Sequence, residues 1–148
     1  MKDIYNFLQL TENLSSSGMP KPDQLREIAE AGVKFVVNLA PPKSEGWMPD
    51  EGDVFRSLGV EYLYILVDWD NPTAQNLSEF MDAMDAHQSD RVHVHCQANY
   101  RATAFVTLYR ILRLGWDREE AFRDLRKIWT PEEYPIWESF IRNSCENK

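Results

Sequence analysis

Thirteen residues constrain this chain more than any others: Arg91-Val92-His93-Val94-His95-Cys96-Gln97-Ala98-Asn99-Tyr100-Arg101-Ala102-Thr103. Val92 and Val94 alternate with His93 and His95, which predicts a short buried strand that delivers Cys96 at its C-terminal end. A tight loop follows, and the apolar spacing from Ala102 to Leu114, stopped by Gly115, predicts a helix. Strand, loop and helix in that order gather a thiol, a set of backbone N–H groups, the positive end of a helix and the Arg101 guanidinium around one point. Such a point suits an oxyanion, of which phosphate is the commonest. Only four residues separate Cys96 from Arg101.

The rest of the chain alternates strands and helices around this unit. Tyr5 to Leu10 alternates apolar and polar side chains, as a half-buried edge strand does. Ser15-Ser16-Ser17-Gly18-Met19-Pro20 reads as a turn-rich connector, and Pro20 to Pro22 opens a helix carrying Leu25, Ile28, Ala29 and Val33. Phe35 to Leu39 and Tyr62 to Val67 are apolar strand patterns, with a short helix near Asp50 to Leu58 between them. Each strand is followed by a loop, Ala40 to Trp47 and Asp68 to Thr73, leaving from the end where sites in α/β folds gather. Thr73 to His87 is an amphipathic helix. Asp117 to Glu120 resembles a capping box, and Thr130-Pro131-Glu132-Glu133 is a start signal for a last helix. The pattern predicts a single α/β domain over residues 1–148, with a mostly parallel central sheet flanked by helices.

Composition narrows the partners. A net charge of −8 argues against nucleic acid, whose phosphates call for clustered Lys and Arg, but leaves room for a small phosphorylated ligand at a locally positive site. No apolar run approaches the ~18–20 residues of a membrane span, and the first residues lack the pattern of an export signal, so no membrane partner and a cytoplasmic location are expected. The two cysteines form no C-x-x-C pair, and Cys145 is read as a packed small hydrophobe. His93 and His95 share a strand face, with His87 nearby in sequence, but a third metal ligand is not evident; packed histidines are expected, with no metal. No glycine-rich nucleotide loop occurs, and no cofactor is expected.

The chemistry of the loop follows from its parts. A helix N-terminus and a nearby cation favour a thiolate, which is the nucleophilic form of cysteine. Arginine suits two-pronged contact with phosphate oxygens. A leaving group would need a proton from another segment, and the Asp68/Asp70 loop is a plausible source.

His95-Cys96-Gln97-Ala98-Asn99-Tyr100-Arg101 resembles the His-Cys-x5-Arg signature of the protein tyrosine and dual-specificity phosphatases. The similarity extends over nearly the whole chain. Ser17-Gly18-Met19-Pro20 before a helix, then Val36-Val37-Asn38-Leu39, looks like the opening of the small bacterial dual-specificity-like domains also found fused to β-lactamase-like hydrolases. The resemblance implies a cysteine-phosphatase-like three-layer domain that hydrolyses a phosphate monoester, from a phosphorylated small molecule or a phosphoprotein, through a cysteinyl-phosphate. It implies Cys96 as nucleophile, Arg101 as phosphate clamp, the backbone of Gln97, Ala98, Asn99 and Tyr100 as phosphate cradle, and an aspartate as general acid. Asp68, with Pro72 four residues on, fits the family's acid loop and is preferred; Asp70 is nearer the spacing of some dual-specificity members. His95 and Thr103 are expected to support the loop.

Three departures stand out. The loop is Cys-x4-Arg, one residue short; its usual glycine is absent, with Asn99 the candidate to replace it; and Ala102 stands where a hydroxyl residue usually follows the arginine, with Thr103 one place later. Rhodanese-like sulfurtransferases use a loop of the shorter length, so sulfur transfer through a Cys96 persulfide is a second reading. A module that binds phosphate or a phosphoprotein without turnover is a third. Tyr100 forms a pocket wall or a core anchor, and Trp47 and Trp69 lie on loops expected near the cysteine, with packing roles preferred.

Overall fold

The computed structural model describes residues 1–146. Its centre is a five-stranded sheet in the order β1-β2-β5-β3-β4, where β1 is Leu8–Thr11, β2 Leu14–Ser17, β3 Phe35–Asn38, β4 Glu61–Tyr64 and β5 Val92–His95. Only β1 runs antiparallel to its neighbour; β2, β5, β3 and β4 are parallel. The helices are α1 (Gln24–Glu30), α2 (Glu51–Ser57), α3 (Ala74–Ala86), α4 (Tyr100–Leu112), α5 (Arg118–Leu125) and α6 (Pro135–Glu146).

Alternation along β3 divides these helices between the two faces. Val36 packs with Leu25, Ile28 and Phe55 of α1 and α2. Phe35 and Val37 turn the other way, into a larger core with Phe80, Phe105, Leu125 and Trp137 from α3, α4, α5 and α6. Side chains on neighbouring residues of a strand must face opposite layers, so one apolar run serves two cores. Helix α4 lies in the middle of the second layer, and eleven of its residues, Arg101 to Ile111, are buried. The architecture is three layers around a mostly parallel sheet.

Two expectations are corrected. Ser15 to Ser17 is not a connector but β2, an inner strand with register Ser15 to His93 and Ser17 to His95. Serine has no strand preference of its own; here Ser15 Oγ and Ser17 Oγ each lie 2.8 Å from a ring nitrogen of His93, so their polarity is satisfied inside the sheet. At Thr130 the start signal produces a short 3-10 turn, Pro131–Glu133, before α6 begins at Pro135. Glu132 turns outward to pair with Arg126, which holds its carboxyl down at about 2.

Candidate active site

β5 delivers Cys96 to the C-terminal edge of the sheet. Leu39 N donates to His95 O at 2.8 Å and Cys96 N donates to Ser17 O at 3.3 Å, so both neighbouring strands fix the cysteine's backbone. The chain then turns through Gln97, Ala98 and Asn99, and Asn99 takes a left-handed backbone with φ of 71°. α4 begins at Tyr100, two residues earlier than its apolar pattern predicts, so Arg101 lies inside the helix's first turn. Amides of a first turn have no acceptor within their own helix.

Cys96, Gln97, Ala98, Tyr100 and Arg101 line one side of a cleft of about 390 Å³. Trp69 and Asp70 line it from the loop after β4, Pro41, Lys43 and Ser44 from the loop after β3, and Tyr134 from the turn before α6. Cys96 lies at the floor, wholly shielded from solvent. Arg101 is 6% exposed. Its Nη1 donates to Val67 O at 3.1 Å, which ties the cysteine loop to the root of the aspartate loop. Its Nε is buried and has no partner among the described residues. Its guanidinium lies 5.8 Å from the Trp69 ring.

The two aspartates are placed differently. Asp68 closes a local turn: its Oδ1 accepts from Asp70 N at 3.0 Å, and its carbonyl accepts from Asn71 N at 3.1 Å. It is Asp70, on the far side of that turn, that lines the cleft with Cys96 and Arg101. Position relative to Pro72 favours Asp68, but it is Asp70, although exposed, that borders the cleft.

The supporting residues act from behind. His95 Nε2 lies 2.6 Å from Glu51 Oε2, and its Nδ1 is 3.4 Å from Cys96 O. Thr103 Oγ1 donates to Asn99 O at 2.7 Å and accepts from Trp129 Nε1 at 2.9 Å, linking the loop's last residue to the core. Asn99 contributes no side chain to the cleft; its Nδ2 donates to Asn6 O at 2.8 Å. The histidines are not brought together. His93 bonds Ser15 and Ser17, and its basicity is pushed down to about 3 by burial and then by the charge of His95. His87 stacks on Phe35 and faces Asp90 and Glu61.

Tyr100 is both wall and anchor, lining the cleft while stacking at 4.8 Å on Trp129. Burial, then Tyr134, raises its phenol above the usual range. Trp69 also lines the cleft and stacks on Trp137 at 5.3 Å. Trp47 instead packs edge-on against Tyr64. Sequence reasoning missed Tyr134, Glu51 and Asn6. Glu51 reads as an ordinary acidic residue in a helix's first turn, and no spacing signal joins it to a histidine 44 residues on.

The fold is that of the protein tyrosine/dual-specificity phosphatases. The chain belongs to the DUF442 family within that class: it is 36% identical to a DUF442 protein of Shewanella putrefaciens CN-32, provisionally assigned as a phosphatase, with 99% of this chain and 95% of that one aligned and a TM-score of 0.87. A structure of PTPMT1 in complex with PI(5)P shares the fold at 20% identity, covering 96% of this chain and 98% of that one, with a TM-score of 0.75. Among curated proteins the chain is 27% identical over 116 residues to a beta-lactamase hydrolase-like protein of Xylella fastidiosa. That match covers 76% of this chain and only 27% of the relative, so the chain spans about a quarter of the length of the curated relatives it matches. No protein-family model matches the chain. No helix among the described residues is long and apolar enough to cross a membrane.

Proposed function

We propose that the chain is a cysteine-dependent phosphatase acting on a phosphate monoester. One observation carries the reading: Arg101, almost wholly buried, shares a cleft with Cys96 and has an Nε with no partner among the described residues. A buried guanidinium nitrogen left unpaired costs free energy, and an oxyanion seated over Cys96 would take up that donor.

In the proposed cycle the Cys96 thiolate attacks phosphorus in line. An S–P bond forms as the ester P–O bond breaks, and Asp70 gives its proton to the departing oxygen. Water then attacks the cysteinyl-phosphate, its proton passes to Asp70, and the S–P bond breaks to release phosphate and restore the thiolate. Arg101 and the first-turn amides of α4 hold the oxygens throughout. The wall of Trp69, Tyr100 and Tyr134 meets the organic part of the substrate, a phosphorylated small molecule or a phosphoprotein. That PTPMT1 has been seen with a phosphorylated lipid headgroup is consistent with the former. Residues 1–148 are read as one catalytic domain, a reading supported by the single sheet shared by all five strands.

Hydrolysis of an aryl phosphate by the wild type and by Cys96→Ser tests this. The wild type is expected to turn over and the variant to lose activity; equal rates would end the reading. The four-residue spacing from Cys96 to Arg101 favours one alternative, sulfur transfer through a Cys96 persulfide. Thiocyanate formed from thiosulfate and cyanide, dependent on Cys96, would identify it.

A further inference from the structure

The cysteine loop is held from behind by a segment that takes no part in the cleft. Asn6, with φ of 51°, and Asn99, with φ of 71°, are the two non-glycine residues with left-handed backbone among those described. They are bonded to each other's segments. Asn6 Nδ2 donates to Ala98 O at 3.0 Å, and Asn99 Nδ2 donates to Asn6 O at 2.8 Å. Gly18 completes the contact: its N donates to Tyr5 O at 2.7 Å, and Met19 N donates to Gln97 O at 2.9 Å. A Cβ at Gly18 would lie 2.6 Å from both Gln97 O and the Tyr5 ring, so the three segments touch backbone to backbone.

A left-handed backbone costs roughly 1–2 kcal/mol for most residues, and asparagine is among the few that tolerate it. Two such residues linked reciprocally point to a conformation that each imposes on the other. Its consequence lies in the loop. Peptide units are planar and trans, so anchoring the Gln97 and Ala98 carbonyls also fixes the direction of the amides of Ala98 and Asn99. Asn99 then sets the entry angle of α4, and with it the placing of Tyr100 and Arg101. A loop one residue shorter than the phosphatase signature has less slack with which to find this shape unaided.

We infer that Asn6 is a positioning residue for the oxyanion loop, and that its reciprocal bonds with Asn99 make the N-terminal segment a working part of the site. The inference rests on the proposed oxyanion chemistry for its purpose, but not for its test. Asn6→Gly keeps the backbone freedom and removes the bond to Ala98; Asn99→Gly does the same from the other side; Asn6→Asp keeps size and turn preference but loses the donor. Hydrogen exchange of the ligand-free protein reads the loop through the amides that donate to it, and orthovanadate binding reads its fit to a tetrahedral anion.

Asn6→Gly and Asn6→Asp are each expected to speed exchange of the Met19 and Thr103 amides, which donate to the loop's Gln97 and Asn99 carbonyls, about fivefold to tenfold, the effect of one net hydrogen bond. Exchange in β3 is expected to stay unchanged and vanadate affinity to fall by a similar factor. The double variant Asn6→Gly/Asn99→Gly should be little worse than either single one, because each breaks the same clamp. Exchange of these two amides within twofold of wild type in both Asn6 variants would overturn the inference, as would additive effects in the double variant. If the wild type binds no vanadate, the phosphatase reading fails, and the exchange comparison still decides the clamp.

Discussion

Glu51 Oε2 lies 2.6 Å from His95 Nε2, and both side chains are sealed from solvent. Glu51 opens α2 and His95 ends β5, so the contact joins one helical layer to the residue before the cysteine. The network continues. Burial, then the charge of Glu51, pushes the Tyr62 phenol far above its usual range. Tyr62 Oη accepts from Asn38 Nδ2 at 3.0 Å, and Asn38 Oδ1 accepts from Ala40 N at 2.9 Å. Polar groups thus run from behind Cys96 to the root of the Pro41–Ser44 wall, with Glu51 and Tyr62 coupled through charge.

Removing one partner of a buried hydrogen-bonded pair strands the other. Glu51→Ala is therefore expected to destabilise the fold by about 1–3 kcal/mol, whereas exposed pairs such as Arg56 with Asp53 contribute well under about 1 kcal/mol. Urea unfolding at neutral pH measures both. A loss for Glu51→Ala no larger than that for Asp53→Ala would show that water or rearrangement compensates His95.

The placing of the aspartates gives a sharper test of the proposed chemistry. Asp70→Asn keeps the shape of the turn and removes the proton donor from the cleft, so kcat on an alkyl phosphate should fall by about 10²–10⁴. Activated aryl phosphates, whose leaving groups need less protonation, should lose less. Asp68→Asn retains an oxygen for the Asp70 amide and should change kcat only severalfold. Reversal of the two results would return the acid role to Asp68.

The sequence made some of this legible, for identifiable reasons. β5, the cysteine loop and α4 could be read because Val92 and Val94 alternate with histidines and the helix repeats apolar residues at its own period. β2 could not, because Ser15 and Ser17 are satisfied by His93, 78 and 76 residues away. Asp70 and Asp68 differ by which side of a turn they occupy, which depends on Asp68 accepting the Asp70 amide. Asn6 and Glu51 reach the loop only through tertiary contacts, across 92 and 44 residues, and local pattern carries no trace of such pairs.

His93 makes stability depend on pH. Folded, it loses its proton at about 3 rather than the ordinary 6.5, because it is buried between Ser15, Ser17 and the ring of Phe7 and lies near His95. Between those values the unfolded chain binds a proton that the folded chain refuses. This contribution is therefore constant above pH 6.5 and becomes increasingly unfavourable as pH falls towards 3, by at most about 1.4 kcal/mol per pH unit. Denaturation curves at pH 7.5 and pH 5 should show this loss on top of the general acid response. His93→Gln should be less stable than wild type at pH 7.5, having given up one serine contact, yet should lose roughly 2 kcal/mol less on going to pH 5. Parallel losses in the two proteins would mean that His93 is not the acid-sensitive group of this sheet.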